Sequence, residues 1–229
     1  MMSEYDLPLV VASFLVAVLA AYAALFFGAR LVNAESGERR KWLLAGALLM
    51  GTGVWTMHFV GMRAMPMGVP MSFDVIMTLV SWFAAVLASG VALHIIGRKQ
   101  LGVPLFVSAT LSMASGIVVM HYLGMYAMRM SAPPTFNTVF LLISIAIAVV
   151  ASGAALALCR KLQGMDGSGT LAVQFVAALA MAAAICGMHY TGMMAMTSHA
   201  DDGRPLKTGA PVVDYATGTT AAFAITAAL

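Results

Sequence analysis

A histidine flanked by methionines recurs three times in this chain, in MHFVGMRAM from Met57, MHYLGMYAM from Met120 and MHYTGMMAM from Met188. The shared form is M-H-(F/Y)-x-G-M-x-A-M, with a further Met eight residues before each His (Met50, Met113, Met181). Burial alone would select Leu, Ile or Val as readily as Met, and would not select His. Imidazole and thioether together are ligands for soft metal ions, and thioether in particular suits Cu(I). Copper is therefore the first choice. Zinc, content with three histidines but gaining little from Met, is the second. Heme ligated by His and Met is a more distant option, because the chain has no C-x-x-C-H attachment motif.

On a helix each residue advances by about 100°. With His at zero, Met at +4 falls near 40°, Met at +7 near −20°, Gly at +3 near −60°, and Met at −1 near −100°. If the helix persists, His58, Met62 and Met65 form one stripe, as do His121, Met125 and Met128, and His189, Met193 and Met196. The histidines and the +4 methionines are the candidate ligands. The −1 set (Met57, Met120, Met188), the +7 set and Cys186 are secondary candidates. Cys186 lies three residues before His189, where the other copies have Trp55 and Val118, so it reads more simply as a small buried side chain. The −8 methionines lie about 12 Å deeper along the helix and read as core filler. Gly61, Gly124 and Gly192 remove a side chain beside each stripe and permit close helix approach.

These faces need elements to carry them. The chain is 62% hydrophobic and 9% charged, against about 25% charged in a soluble domain, so it reads as an integral membrane protein. Six apolar stretches, Leu7–Ala29, Trp42–Gly61, Val75–Ile96, Val103–Met125, Val139–Leu158 and Leu171–Met193, each approach the ~20 residues that span ~30 Å of hydrocarbon. A seventh, Tyr215–Leu229, is too short for a full crossing and reads as the start of a span that leads to a cytoplasmic output module. The expected fold is an all-α, seven-span helical bundle, with six complete spans and the start of a seventh. It is built from three helix-pair repeats, about 7–65, 73–128 and 138–196, within one domain covering 1–229. The inward helices echo one another in ASGVALHIIGRK from Ala88 and ASGAALALCRK from Ala151. Repeats that each cross twice share an orientation, so their symmetry axis lies along the membrane normal.

Orientation follows from basic residues. Arg30, Arg39, Arg40, Lys41, Arg98, Lys99, Arg160 and Lys161 fall on one side, and Arg63, Arg129, Arg204 and Lys207 on the other. The positive-inside rule makes the first side cytoplasmic and sets the N-terminus and all three signatures outside. The leader MMSEYDL carries no basic residue before an apolar run too long for a cleaved signal. The net charge of +3 reflects this bias and leaves no nucleic-acid footprint. His94 and His199 lack a repeated context and read as structural or solvated.

The motif MHYT at Met188–Thr191, with MHFV and MHYL as variants, resembles the MHYT family of bacterial membrane sensor domains, and the likeness covers nearly the whole chain. It departs from the family at the Thr position in two copies (Val60, Leu123), which argues against a general role for that hydroxyl. The resemblance implies a domain of the bacterial cytoplasmic membrane that senses oxygen, carbon monoxide or nitric oxide, with copper at the His and Met residues. It also implies fusion to GGDEF and EAL modules that make and degrade cyclic di-GMP. The spans hold no nucleophile–base constellation, so the chain itself does not read as an enzyme. The alternative function is a copper transporter or channel, entered past Met67 and Met71. Nothing in the pattern opposes a homodimer.

Overall fold

A computed structural model describes residues 5–65, 72–98, 100–129, 134–162 and 170–197. Among the described residues six helices carry the fold: α1 (Leu7–Asn33), α2 (Ser36–Arg63), α3 (Val75–Ile96), α4 (Val103–Tyr126), α5 (Thr138–Leu162) and α6 (Thr170–Ala195). All six are long and apolar enough to cross a membrane, and the protein is a multi-pass membrane protein. The expected seventh span lies outside the described residues, as do Met67, Met71 and His199.

Helices α1, α2 and α5 run several residues past their apolar stretches. Hydropathy does not register the polar turns at the membrane boundary, where backbone hydrogen bonding continues. Ser36–Lys41 at the start of α2 is such a segment. Arginines cap the ends of odd-numbered helices: Arg39 donates to the Leu31 carbonyl (3.3 Å), and Arg160 donates to the carbonyls of Ile96 (3.2 Å) and Arg98 (2.7 Å). Cations at a helix C-terminus complement the free carbonyls and the dipole.

Each helix packs on the next, and α6 returns to α1, closing a six-helix ring. The exposed surface is rich in Leu, Val, Ile and Phe, such as Ile76, Phe83, Val103, Val150 and Val176. In a soluble protein that would be a liability; here it is the face toward lipid tails. The even-numbered helices α2, α4 and α6 bring the signatures together at one end of the ring.

A backbone staple, repeated three times, holds that end. The N–H of Asp6 donates to the Ala64 carbonyl (2.9 Å), that of Asp74 to Ala127 (2.7 Å), and that of Asn137 to Ala195 (2.7 Å). Each donor sits at the start of an odd-numbered helix and each acceptor is the Ala of a signature. The same three residues cap their helices through side-chain oxygens, which accept from Leu9 N (3.2 Å), Met77 N (3.0 Å) and Val139 N (2.9 Å). The aromatic residue just before each cap also packs edge-on against the residue after a signature His. Tyr5 meets Tyr190 (5.7 Å between ring centroids), Phe73 meets Phe59 (5.1 Å), and Phe136 meets Tyr122 (5.1 Å). Two short antiparallel pairings, Phe73 with Met128 and the β1 (Thr135–Phe136) and β2 (Met196–Thr197) strands, finish the rim.

The rim corrects one expectation. The helices end at Arg63, Tyr126 and Ala195, so Met65, Met128 and Met196 are not on the helical stripes. The chain must leave the helix there to meet the next odd helix, and the staple takes the backbone groups that a further turn would have used.

Candidate metal centre

The three signature histidines meet at the centre of the ring. Their Nδ1 atoms form a triangle, with 3.1 Å between His58 and His189, 3.1 Å between His121 and His58, and 3.3 Å between His189 and His121. All three side chains are fully buried. They are the only cluster of three or more His, Cys, Asp or Glu side chains with metal-ligand proximity among the described residues.

Glycine makes the approach possible. A Cβ on Gly124 would overlap Nε2 of His58, one on Gly192 would overlap Nε2 of His121, and one on Gly61 would overlap Nε2 of His189. Each imidazole is thus seated on the bare backbone of the next signature helix, in the cycle α2 on α4, α4 on α6 and α6 on α2. The seat turns Nε2 outward against a helix and leaves Nδ1 aimed at the shared centre.

Hydrogen bonding alone cannot satisfy this triangle. A neutral imidazole has one N–H and one lone pair. If one Nδ1 carries hydrogen and serves its neighbours, the other two still face each other lone pair to lone pair. If two carry hydrogen, those two face each other as donors. Placing hydrogen on all three Nε2 atoms leaves three lone pairs converging on one point, and a cation there removes the conflict. The triangle's centre lies about 1.8 Å from each nitrogen, close to the ~2.0–2.1 Å of a metal–imidazole bond. The residues present therefore fit a metal ion, held by three neutral nitrogens. Its identity rests on the chemistry of the neighbours.

Those neighbours are methionines. Met62, Met125 and Met193 are buried together with Met128 one turn beyond the histidines, flanked by Phe59, Met65, Phe73, Tyr122, Phe136 and Met196. Met57, Met120 and Met188 are equally buried on the other side of the triad, within the main hydrophobic core. Cys186 also lies in that core and does not join the histidine cluster. His94 is exposed on α3.

A second layer of contacts went unread in the sequence. Ser13, Ser81 and Ser144, one on each odd helix, donate to the carbonyl three residues back, at 2.7–2.8 Å. Their oxygens then accept from the signature helices: from the Tyr190 hydroxyl (2.9 Å), the Trp55 indole N–H (3.1 Å) and the Tyr122 hydroxyl (2.7 Å). Where copy one has Phe59 in place of Tyr, Trp55 supplies the missing donor from one turn below. The signal was the 68- and 63-residue spacing of Tyr5-Asp6, Phe73-Asp74 and Phe136-Asn137, and of the three serines.

Comparison with known proteins agrees with this architecture. The model of the MHYT family, described as a bacterial signalling protein N-terminal repeat, matches residues 1–46, 51–109 and 115–173. The second and third matches start near the deep Met of a signature helix, a frame shifted by one helix from pairs that begin on the odd helices. A CoA-transferase family III model matches 180–229. That segment includes the part of α6 that supplies His189, so the match carries no argument about function. No solved structure matches. Among curated proteins, the chain is 42% identical over 196 residues to the bifunctional diguanylate cyclase/cyclic di-GMP phosphodiesterase MucR of Pseudomonas aeruginosa (85% of this chain, 28% of the relative). It is 35% identical over 203 residues to the cyclic di-GMP phosphodiesterase NbdA of the same organism (89% and 26%), and 34% identical over 203 residues to the signaling protein YkoW of Bacillus subtilis (88% and 25%). The chain spans about a quarter of the length of these relatives. With three repeats matched along the bundle and three signatures joined at its axis, the chain belongs to the MHYT family and is one of its membrane signalling domains.

Proposed function

We propose that this chain is a sensory input domain that holds copper at His58, His121 and His189, with Met62, Met125 and Met193 alongside, and responds to a diatomic gas. The observation that carries the reading is the convergence of three buried imidazole nitrogens that cannot satisfy one another by hydrogen bonding. Copper supplies a soft centre at which oxygen, carbon monoxide or nitric oxide can bind. The chain's own part is to orient the three nitrogens, exclude water and turn a change at the centre into helix movement. Each ring is wedged on a glycine of the next signature helix, so a ring that shifts pushes its neighbour, and the three helices move as a set. The output, by analogy with the cyclic di-GMP enzymes it is similar to, is a cytoplasmic module in the same polypeptide, reached through a seventh span from Tyr215. One domain of three helix pairs, with the signatures toward the outside of the bacterial cytoplasmic membrane, completes the reading. A cysteine placed at Ser36 should resist impermeant thiol reagents in intact cells, in a background lacking Cys159 and Cys186. Labelling from outside would invert the orientation.

Metal content tests the central claim. Protein purified in mild detergent without chelators should carry copper by elemental analysis, and H58A/H121A/H189A should lose it while the helical signal remains. Exchanging Met62, Met125 and Met193 for Leu conserves volume and costs under ~1.5 kcal/mol per site, and should weaken copper retention without unfolding. Zinc or iron at full occupancy after copper supplementation would reject the assignment. The competing transport reading gains from the stacking of methionines along one axis, and histidine-dependent copper uptake into vesicles would favour it.

A further inference from the structure

Away from the rim, the same axis opens into a cavity of about 40 Å³. Met50, Met113 and Met181 line it, one from each signature helix, together with Ser152 and Cys159 of α5 and a wall of Ala, Leu and Ile. The methionines are equivalent by repeat, each about 12 Å along its helix from the His. They are only 5–7% exposed, and Cys159 is 5% exposed. Ser152 is 2% exposed, and its hydroxyl has no hydrogen-bond partner. Ser13, Ser81 and Ser144 each donate to a carbonyl of their own helix, which Ser152 does not. Leaving a buried hydroxyl unmet costs ~1–3 kcal/mol, which suits a position that meets its partner in a ligand.

We propose that this cavity is a second, inner metal site for a soft monovalent cation such as Cu(I), held by the thioethers of Met50, Met113 and Met181 and the sulfur of Cys159, with the Ser152 hydroxyl beside it. The donor set has no oxygen anion and no imidazole, which disfavours magnesium, calcium and zinc and favours Cu(I). Charge selects the same class. A bare cation in an apolar cavity is strongly penalised, and one thiolate neutralises a single positive charge but leaves a divalent ion half compensated. Threefold symmetry fails at this point: the positions equivalent to Cys159 are Gly28 and Ile96, and those equivalent to Ser152 are Ala21 and Ser89. The polar pair was thus placed on one wall only, where one anionic ligand suffices. Reading the −8 methionines as filler explains their burial but not the unmet hydroxyl or the cysteine across from them.

The proposal stands whether or not the histidines bind metal, and its test separates the two. Silver(I), a redox-inert stand-in, is added to the detergent-solubilised H58A/H121A/H189A chain, and retained silver is counted after desalting. One silver per chain is expected, with a shell dominated by sulfur neighbours in X-ray absorption. Adding M50L/M113L/M181L and C159S to that background should reduce retention at least tenfold, whereas adding M62L/M125L/M193L should not. Methyl-labelled methionine gives a second reading without removing the deep sulfurs: silver should shift the Met50, Met113 and Met181 resonances in the histidine-free chain. No retained silver, unmoved deep methyl signals, or retention lost only with the outer methionines would each overturn the inner site.

Discussion

The two halves of the bundle treat the same threefold plan differently. At the signature end every important contact occurs three times: the His-on-glycine seat, the cap-to-alanine hydrogen bond, the aromatic pair across the rim, and the serine that accepts from the signature helix. At the other end the methionines still repeat, but α5 alone supplies the Ser and Cys that line the cavity. A site that needs three equal nitrogens constrains all three copies at once, because each ring rests on another copy. A cavity walled by six helices lets one copy change without disturbing the rest. The signature end therefore preserves the repeat, and the opposite end is where it diverged.

The strongest way to break the contrast is to fill a seat. Gly124→Ala places a methyl group against His58, whose ring cannot retreat because it is fully buried. Overpacking of this kind costs ~1–3 kcal/mol, and the displaced ring should also spoil the triangle. Metal retention by G124A should fall well below wild type, with a lower thermal midpoint in detergent. Gly187→Ala, two residues before His189, meets nothing within 4 Å and should leave both unchanged, or raise stability slightly because Ala is the better helix former. Equal behaviour of the two variants would mean that the cyclic seat does not position the histidines.

A subtler test exchanges parts between copies. Trp55 fills the role that a Tyr hydroxyl plays in the other two repeats, donating to Ser81. Trp55→Val, the residue of copy two, removes a buried ring and that donor, a loss of ~3 kcal/mol or more. Adding Phe59→Tyr to W55V should recover about 1 kcal/mol if the new hydroxyl reaches Ser81 as those of Tyr122 and Tyr190 reach their serines. A double-mutant cycle of thermal or denaturant stability reads the coupling. Strict additivity would show that the three serine contacts are not interchangeable.

How much of this could be read beforehand divides along the same line. The boundaries of α3 are those of its apolar run, and the helix position of His, Gly and the +4 Met was legible from 3.6-residue periodicity. That the three faces can meet follows from equal placement on three equivalent helices, each with a glycine that permits close approach. Less legible was anything depending on where a helix stops. Met65, Met128 and Met196 continue the stripe arithmetically, yet a staple to the next helix ends each turn first. The Tyr5-Asp6, Phe73-Asp74 and Phe136-Asn137 pairs were in view, but two-residue motifs in short segments carry little hydropathy signal. The cavity left no trace at all, because Met50, Cys159 and Ser152 become neighbours only through the closure of the ring.

The smallest predicted effect concerns the rim, where the three caps are chemically unequal. Asp74 accepts from the Met77 amide and pairs with Arg129 at 3.0 Å. The Met77 amide, the largest influence, holds its carboxyl below the usual carboxylate range; burial pushes it back up in part, and Arg129 and the Ile76 amide add to the lowering. A carboxyl lowered on folding contributes stability that is full above its unfolded pKa and lost as pH falls through the folded value. The corresponding residue of α5 is Asn137, which makes the same caps without charge. Asp74→Asn should therefore change little at neutral pH, since Asn caps about as well as Asp and an exposed ion pair contributes little. Below the usual carboxylate range the wild type should lose stability that D74N does not lose from this position. Thermal midpoints of the two proteins, nearly equal at neutral pH, should separate as the solution is acidified, with the wild type falling below D74N. Parallel curves would show that the charge on this cap is incidental, and that the staple depends on the backbone alone.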